Sequence, residues 1–189
     1  MAQRAVRERD PAHRTADELE AGLDEIRRSP ASEGTVELIV RRPAVGEREV
    51  LEEAVLDLHE GLVGDSWLAR GTRGGPANPA AQLTVMNARV IALVARERGR
   101  WPLAGDQLYV DLDLSESNMP AGTRLALGSA VIEVSDEPHT GCAKFTGRFG
   151  SEASRFINSP IGRALHLRGI NTRVVQPGRV RVGDTIRKL

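Results

Sequence analysis

The only cysteine of the chain lies in Pro138-His139-Thr140-Gly141-Cys142-Ala143-Lys144-Phe145-Thr146-Gly147-Arg148, and this segment gathers the side chains most able to do chemistry. A thiolate is both a nucleophile and a soft metal ligand, and it is favoured where cations and free backbone N–H groups surround the sulfur. His139, Lys144 and Arg148 all fall within six residues of Cys142. Gly141 lets backbone approach closely whatever binds there. The competing reading is that Cys142 is a small buried hydrophobe, the usual fate of a free cysteine. Its polar, glycine-flanked surroundings point instead to a reactive thiol. One cysteine forms no internal disulfide and no multi-cysteine zinc site.

The other chemical signals are sparse. Of 26 basic residues only Lys144 and Lys188 are lysine, which leaves 24 arginines whose planar forks suit carboxylate or phosphate. A lysine Schiff base therefore has two candidates. The histidines, His13, His59, His139 and His166, show no HxH or HExxH spacing. Neither GxGxxG nor a Walker loop is present, and Gly71, Gly74 and Gly75 belong to a loop without a phosphate-cradling pattern. Asp111-Leu112-Asp113-Leu114-Ser115 opens like a calcium loop, but Glu116 stands where glycine is needed and Gly122 where the bidentate glutamate should be. A strand with a wet outer face explains that alternation better.

The elements that must position Cys142 are mostly short strands. Val36–Val40, Gln82–Met86, Gln107–Leu114, Arg124–Leu127 and Ala130–Ser135 carry β-type runs, the last two joined by Gly128-Ser129 in hairpin fashion. Asn87 caps a helix over Ala88–Arg98, with Gly99 as its stop. The segment holding Cys142 reads as a loop leaving the strand Ala130–Ser135. One or two short helices follow, Ser151–Asn158 and Pro160–Leu165. Strands Asn171–Val175 and Arg179–Val182 are joined by Gln176-Pro177-Gly178 as a type II turn. At the other end, residues 1–34 form an appendage with a frayed leader and one amphipathic helix. There Thr15 and Glu18 have capping-box spacing, and Leu19, Leu23 and Ile26 recur at helical intervals until Ser29-Pro30. Such a stripe docks on the domain or on a second subunit, which would make a homodimer. The sum is a β-rich α+β fold: an N-terminal helical extension over 1–34, and a β-barrel with peripheral helices over 35–189.

Composition bounds the partners. The formal net charge is zero, with 26 basic and 26 acidic side chains, so nothing draws the chain to nucleic acid or a membrane surface. Six aromatic residues, three Phe, two Trp and one Tyr, are too few for base-stacking platforms. The longest apolar run, Val90–Ala95, is six residues against the roughly 20 of a membrane span, and the charged start lacks a signal-peptide core. A cytoplasmic location is expected.

Four blocks in order resemble the MOSC domain, a family named for the C-terminal domain of molybdenum-cofactor sulfurases. They are Gly61-Leu62-Val63-Gly64-Asp65, then Gln82-Leu83-Thr84-Val85-Met86-Asn87, then Gly122–Leu125 through Ala130–Val134 into Cys142, and finally Arg168-Gly169 through Val182-Gly183-Asp184. The resemblance covers the chain from about Val36 onward, as a small stand-alone member. It implies a β-barrel, a functional cysteine at Cys142, and either binding of molybdopterin cofactor or carriage of sulfur destined for it. The chain departs from the family in three places. Gly141 replaces a usual proline, Gly105-Asp106-Gln107-Leu108 stands where many members carry Gly-Glu-Asn-Leu, and Arg73-Gly74-Gly75-Pro76 lacks a histidine.

On this resemblance the first functional reading is a molybdenum-dependent oxidoreductase that reduces N-hydroxylated or similar compounds, with the Cys142 thiolate as metal ligand. Lys144, Arg148 and Arg168 are then candidates for the anion clamp, Gln107 for the pterin edge, and His139, Thr140 and Gly141 for further cofactor contacts. The second reading is a sulfur carrier with a persulfide on Cys142, fed by a sulfur-donor protein as the first would be served by an electron donor. The third is a non-catalytic binding module. The desulfurase domain that larger members carry is missing from this chain, so pyridoxal phosphate is not expected in it.

Overall fold

The computed structural model describes residues 13–71 and 75–189; most of the expected N-terminal leader, and residues 72–74 of the glycine loop, lie outside the described residues. In chain order the helices are α1 (Ala16–Ala21), α2 (Leu23–Arg27), α3 (Trp67–Arg70), α4 (Ala88–Ala95), α5 (Ala143–Asn158) and α6 (Pro160–Ala164). The strands are β1 (Glu33–Arg41), β2 (Glu49–Leu51), β3 (Glu53–Asp57), β4 (Gly61–Leu62), β5 (Leu83–Asn87), β6 (Leu108–Asp111), β7 (Arg124–Leu127), β8 (Ala130–Val134), β9 (Ile170–Gln176), β10 (Gly178–Arg181) and β11 (Thr185–Lys188). Short 3₁₀ helices cover Pro79–Ala81 and Arg98–Ala104.

Seven strands in the order β11-β7-β8-β9-β5-β6-β1 close on themselves through β11–β1, while β2 extends β1 and β10-β3-β4 form a small second sheet. All pairings are antiparallel except β5–β6. Closure leaves no open edge in the ring. Alternation then sorts side chains into two cores. Leu83, Val85, Leu108, Val110, Leu125 and Ile132 fill the barrel. Met86 and Tyr109, one residue out of phase, face outward against α1, α2, α4 and α5 with Leu19, Ile26, Ile91, Phe145 and Phe149. β1 serves both cores because its register shifts between Val36 and Leu38: Val36 and Ile39 point in, Leu38 and Val40 point out.

The expected β-rich fold is the observed one, with local differences. The N-terminal stripe is divided at Gly22, where a Cβ would lie 2.4 Å from Leu93 Cδ2, although the Thr15–Glu18 capping box forms. The helix from Ala88 ends at Ala95 rather than at Gly99, since Arg96 takes a left-handed φ of 62° and the chain re-forms as the 3₁₀ helix. The strand expected to run to Leu114 ends at Asp111. Beyond it Leu112 and Leu114 are buried and Asp113 accepts from the Ser115 N–H, so the alternation there is a turn and not a wet strand. Gly178 lacks the positive φ of a type II turn. Pro177 instead hands the chain from the barrel to the second sheet, where β10 pairs with β3. No helix among the described residues is long and apolar enough to cross a membrane.

Candidate functional site

Register across three strands builds the site. Val85 pairs with Leu108 on one side and with Ile170 on the other, so the residues just before β6 and β9 are carried together. Gly169 makes this possible. Its φ is 98°, and a Cβ there would fall 2.3 Å from Val85 O. Asp106 and Arg168 meet as a result: Arg168 Nη1 donates to Asp106 Oδ2 at 2.7 Å, and its Nη2 to Ala104 O at 3.0 Å. The loop after β8 runs alongside β9, where Ser135 N–H donates to Asn171 O and Asn171 Nδ2 to Glu137 O. That brings His139 Nδ1 to 3.7 Å from Asp106 Oδ1.

This cluster is buried and under-satisfied. Asp106 is fully buried and Arg168 is 6% exposed. Asp106 Oδ1, His139 Nδ1 and Arg168 Nε are buried atoms without a hydrogen-bond partner, an expense that protein interiors rarely carry without function. Burial first, then the charges of Arg168 and Arg42, push His139 down to about 3 against the opposing pull of Asp106. His139 is therefore neutral. Arg168 also lies 5.2 Å over the Phe145 ring, which ties the cluster to α5.

Cys142 is exposed, which excludes the buried-hydrophobe reading. It ends the expected loop as the N-cap of α5, and the part of that loop beyond it, Ala143–Arg148, is instead helix, which kinks at Gly150. The sequence conceals this start because Gly147 and Gly150 interrupt the pattern, yet Phe145 and Phe149, four apart, are both buried and anchor the first turns. Partial burial opposes ionisation of the thiol. The backbone N–H groups of Phe145 and Lys144 at the helix start and the charge of Arg168 outweigh it, and the pKa is held below the ordinary thiol value.

A cavity of about 670 Å³ is lined by His139, Thr140 and Arg168 together with Arg163 and His166. Of the residues singled out by sequence, His139, Thr140 and Arg168 thus come together, while Cys142 does not line the cavity and is linked to the cluster by the charge of Arg168. Gly141 sits among them, but its open space is taken by α5: Asn158 Oδ1 accepts from its N–H, and a Cβ would stand 2.7 Å from Ile157 Cδ1. Lys144 is exposed and contributes its backbone N–H. Arg148, one and a half turns along α5, donates to Leu103 O. Gln107, expected at a pterin edge, is buried in the barrel wall, where its Oε1 accepts from Thr84 N–H and Oγ1. The neighbouring Asp106 is the residue of that block which faces the site. Sequence reasoning missed its role, and the only signal was its place beside Gln107.

The family model described as MOSC domain matches residues 72–187. No curated protein matches the chain. Among solved structures, the YuaD protein of Bacillus subtilis is 18% identical with a TM-score of 0.61, over 82% of this chain and 94% of that one. YiiM of Escherichia coli is 22% identical with a TM-score of 0.54, over 82% and 69%. YiiM of Geobacillus stearothermophilus is 14% identical with a TM-score of 0.51, over 84% and 73%. These structures share the fold of this chain.

Proposed function

The chain belongs to the MOSC domain family, and from that premise we propose that it binds a molybdenum cofactor beside Cys142 and acts as an oxidoreductase on N-hydroxylated or similar compounds. One observation carries the reading: an exposed thiol, held below its ordinary pKa, lies three residues from a largely buried imidazole and within reach of the charge of a buried arginine–carboxylate pair, and all three groups have open hydrogen-bonding atoms. These residues fit the group. A thiolate is the donor that a soft, high-valent metal centre takes. Among the described residues no three His, Cys, Asp or Glu side chains converge into a metal cage, so the metal would arrive with ligands of its own.

Cys142 would supply the protein's sulfur to the metal, with Arg168, His139 and Thr140 facing the remainder of the cofactor. When bound, the cofactor supplies two-electron reduction, and the protein supplies orientation and exclusion of water. The backbone N–H groups of Phe145 and Lys144, and then the charge of Arg168, favour the thiolate, and Arg168 is itself held by Asp106 Oδ2. Neutral His139 holds one ring proton and offers one lone pair, so it can orient a polar group without adding charge.

The exposure of Cys142 also suits a second reading, in which its thiolate carries a persulfide to an acceptor. The test is molybdenum analysis and pterin fluorescence on protein purified from a host that makes the cofactor, for wild type and Cys142→Ser. The proposal expects metal and pterin in wild type and loss of the metal in the variant. Neither metal nor pterin in wild type overturns it, and a persulfide trapped on Cys142 would then establish the carrier.

A further inference from the structure

The cavity of about 670 Å³ carries more negative than positive charge. Glu116, Asp136 and Glu137 line it, and none of these three side chains has a hydrogen-bond or ion-pair partner among the described residues. Elsewhere the arginine-rich chain answers its carboxylates: Glu18, Glu53 and Glu133 each hold two guanidinium groups. Two arginines line this cavity. Arg168 is balanced by Asp106, and Arg163, without a carboxylate partner among the described residues, turns its Nε back to Asn158 O at 3.1 Å. Three unpaired carboxylates against one unpaired guanidinium leave a local negative excess in a chain whose formal charge is zero. Such a concave surface raises the local concentration of cations.

Acidic side chains alone are ordinarily a solvated face. A second observation makes this one a site. Arg168 is 6% exposed and lines the same cavity, and its Nε is a buried donor without an acceptor, since Nη1 and Nη2 are taken by Asp106 and Ala104. That N–H calls for an oxygen from outside the protein. His166 supplies an acceptor to the same lining. Its Nδ1 lies 2.7 Å from Leu114 O, a carbonyl that can only accept, so Nδ1 donates and Nε2 of the neutral ring keeps a lone pair. The residue holds a left-handed φ of 46°, a strained conformation of the kind that gathers at binding sites. Between these polar groups the wall is aliphatic, with Met119, Val134, Ile157 and Ile170, and no aromatic ring among the lining residues offers a stacking face or a cation–π cage.

We propose that this cavity binds a protonated aliphatic amine: its ammonium among the three carboxylates, its stem along the aliphatic wall, and an oxygen of the ligand accepting from Arg168 Nε. A planar guanidinium suits one carboxylate met side-on, whereas an ammonium directs three N–H donors to acceptors that come from separate positions. The volume falls within the range of small-molecule sites, roughly 300–1,000 Å³. Thr140, two residues before Cys142, belongs to the lining, so the cavity adjoins the segment that carries the thiol. In naming a charged amine as the class of substrate brought to that thiol, the assignment rests on the function proposed above.

The probe is Nα-acetyl-L-lysine amide, titrated into ¹⁵N-labelled, cofactor-free protein at low salt and followed by NMR, with Nα-acetyl-L-norleucine amide as the uncharged counterpart of the same stem. The lysine compound saturably shifts the backbone amides of Glu116, Asp136, Glu137 and His166 together with the Nε–H signal of Arg168. The norleucine compound binds at least about tenfold more weakly, and added salt weakens only the lysine compound. Glu116→Gln, Asp136→Asn and Glu137→Gln each weaken the lysine compound about threefold, and the triple variant brings it to the level of the norleucine compound. Should the triple variant fail to fold, the contrast between the two compounds on wild type decides. Equal binding of the two, no shift by either, or a triple variant that binds the lysine compound as wild type does overturns the proposal. The two readings fail separately. Absence of molybdenum and pterin from wild type removes the proposed reduction and leaves the amine site standing, and equal binding of the two compounds by a protein that does acquire the metal removes the amine site alone.

Discussion

Replacing Asp106 by Asn removes the only carboxylate paired with Arg168 among the described residues and leaves a guanidinium that is 6% exposed without that counter-charge. Breaking one side of a buried pair costs about 3–5 kcal/mol. The isosteric amide keeps an acceptor for Arg168 Nη1, and Nη2 keeps Ala104 O, so the lower end applies, about 3 kcal/mol. For a domain of this size that is a drop in melting temperature of about 6–12 °C. The same substitution has an electrical signature. Arg168 favours the Cys142 thiolate, and without Asp106 its positive charge is uncompensated, so the thiol pKa moves further down. Arg168→Met, which deletes the charge, moves it up. The assay is thermal unfolding together with the rate of alkylation of Cys142 against pH. A stable Asp106→Asn protein, or a thiol titration that shifts upward in it and downward in Arg168→Met, refutes the account of the cluster.

Three further outcomes follow from the same geometry. His139 is pushed down to about 3 in the folded chain and titrates near 6.5 when unfolded, so the unfolded state binds the extra proton. Stability is therefore full above about pH 6.5 and declines as pH falls toward 3, by about 1.4 kcal/mol at pH 5.5, and denaturant titrations of His139→Gln should lack that part of the slope. Gly169→Ala forces a Cβ to 2.3 Å from Val85 O at a φ of 98°, which should cost at least about 2 kcal/mol by chemical denaturation and loosen the Asp106–Arg168 contact. Cys142→Ser, at an exposed position, should leave the unfolding midpoint within about 0.5 kcal/mol of wild type; a larger loss would make Cys142 a structural residue.

The elements legible in the sequence are those whose signals are local. Thr15 and Glu18 form the capping box their spacing announces, Asn87 caps α4, and Gly128 turns the β7–β8 hairpin at a φ of 55°. What escaped depends on contacts between distant segments. The stop of α4 at Ala95 is set by Arg96, whose guanidinium reaches Glu18 of α1, and no rule of helix ends reads that from Arg96 itself. The helical start after Cys142 is secured by Phe145 and Phe149 packing under α1 and α4, against a glycine pattern that reads locally as loop. The site was half legible. Cys142 and His139 stand in one segment, and Arg168 came with the family resemblance. Asp106 acquires its role only when Val85 brings β6 and β9 into one row, and Glu116 joins Asp136 and Glu137 in one cavity lining only once the chain has folded.

The central claim is that Cys142 is the ligand the protein gives to molybdenum. X-ray absorption at the molybdenum edge tests it most directly, on protein loaded in a cofactor-producing host, comparing wild type with Cys142→Ser. The account predicts one more sulfur neighbour on the metal in wild type than in the variant. Identical sulfur shells in the two proteins, with equal metal content, would contradict it.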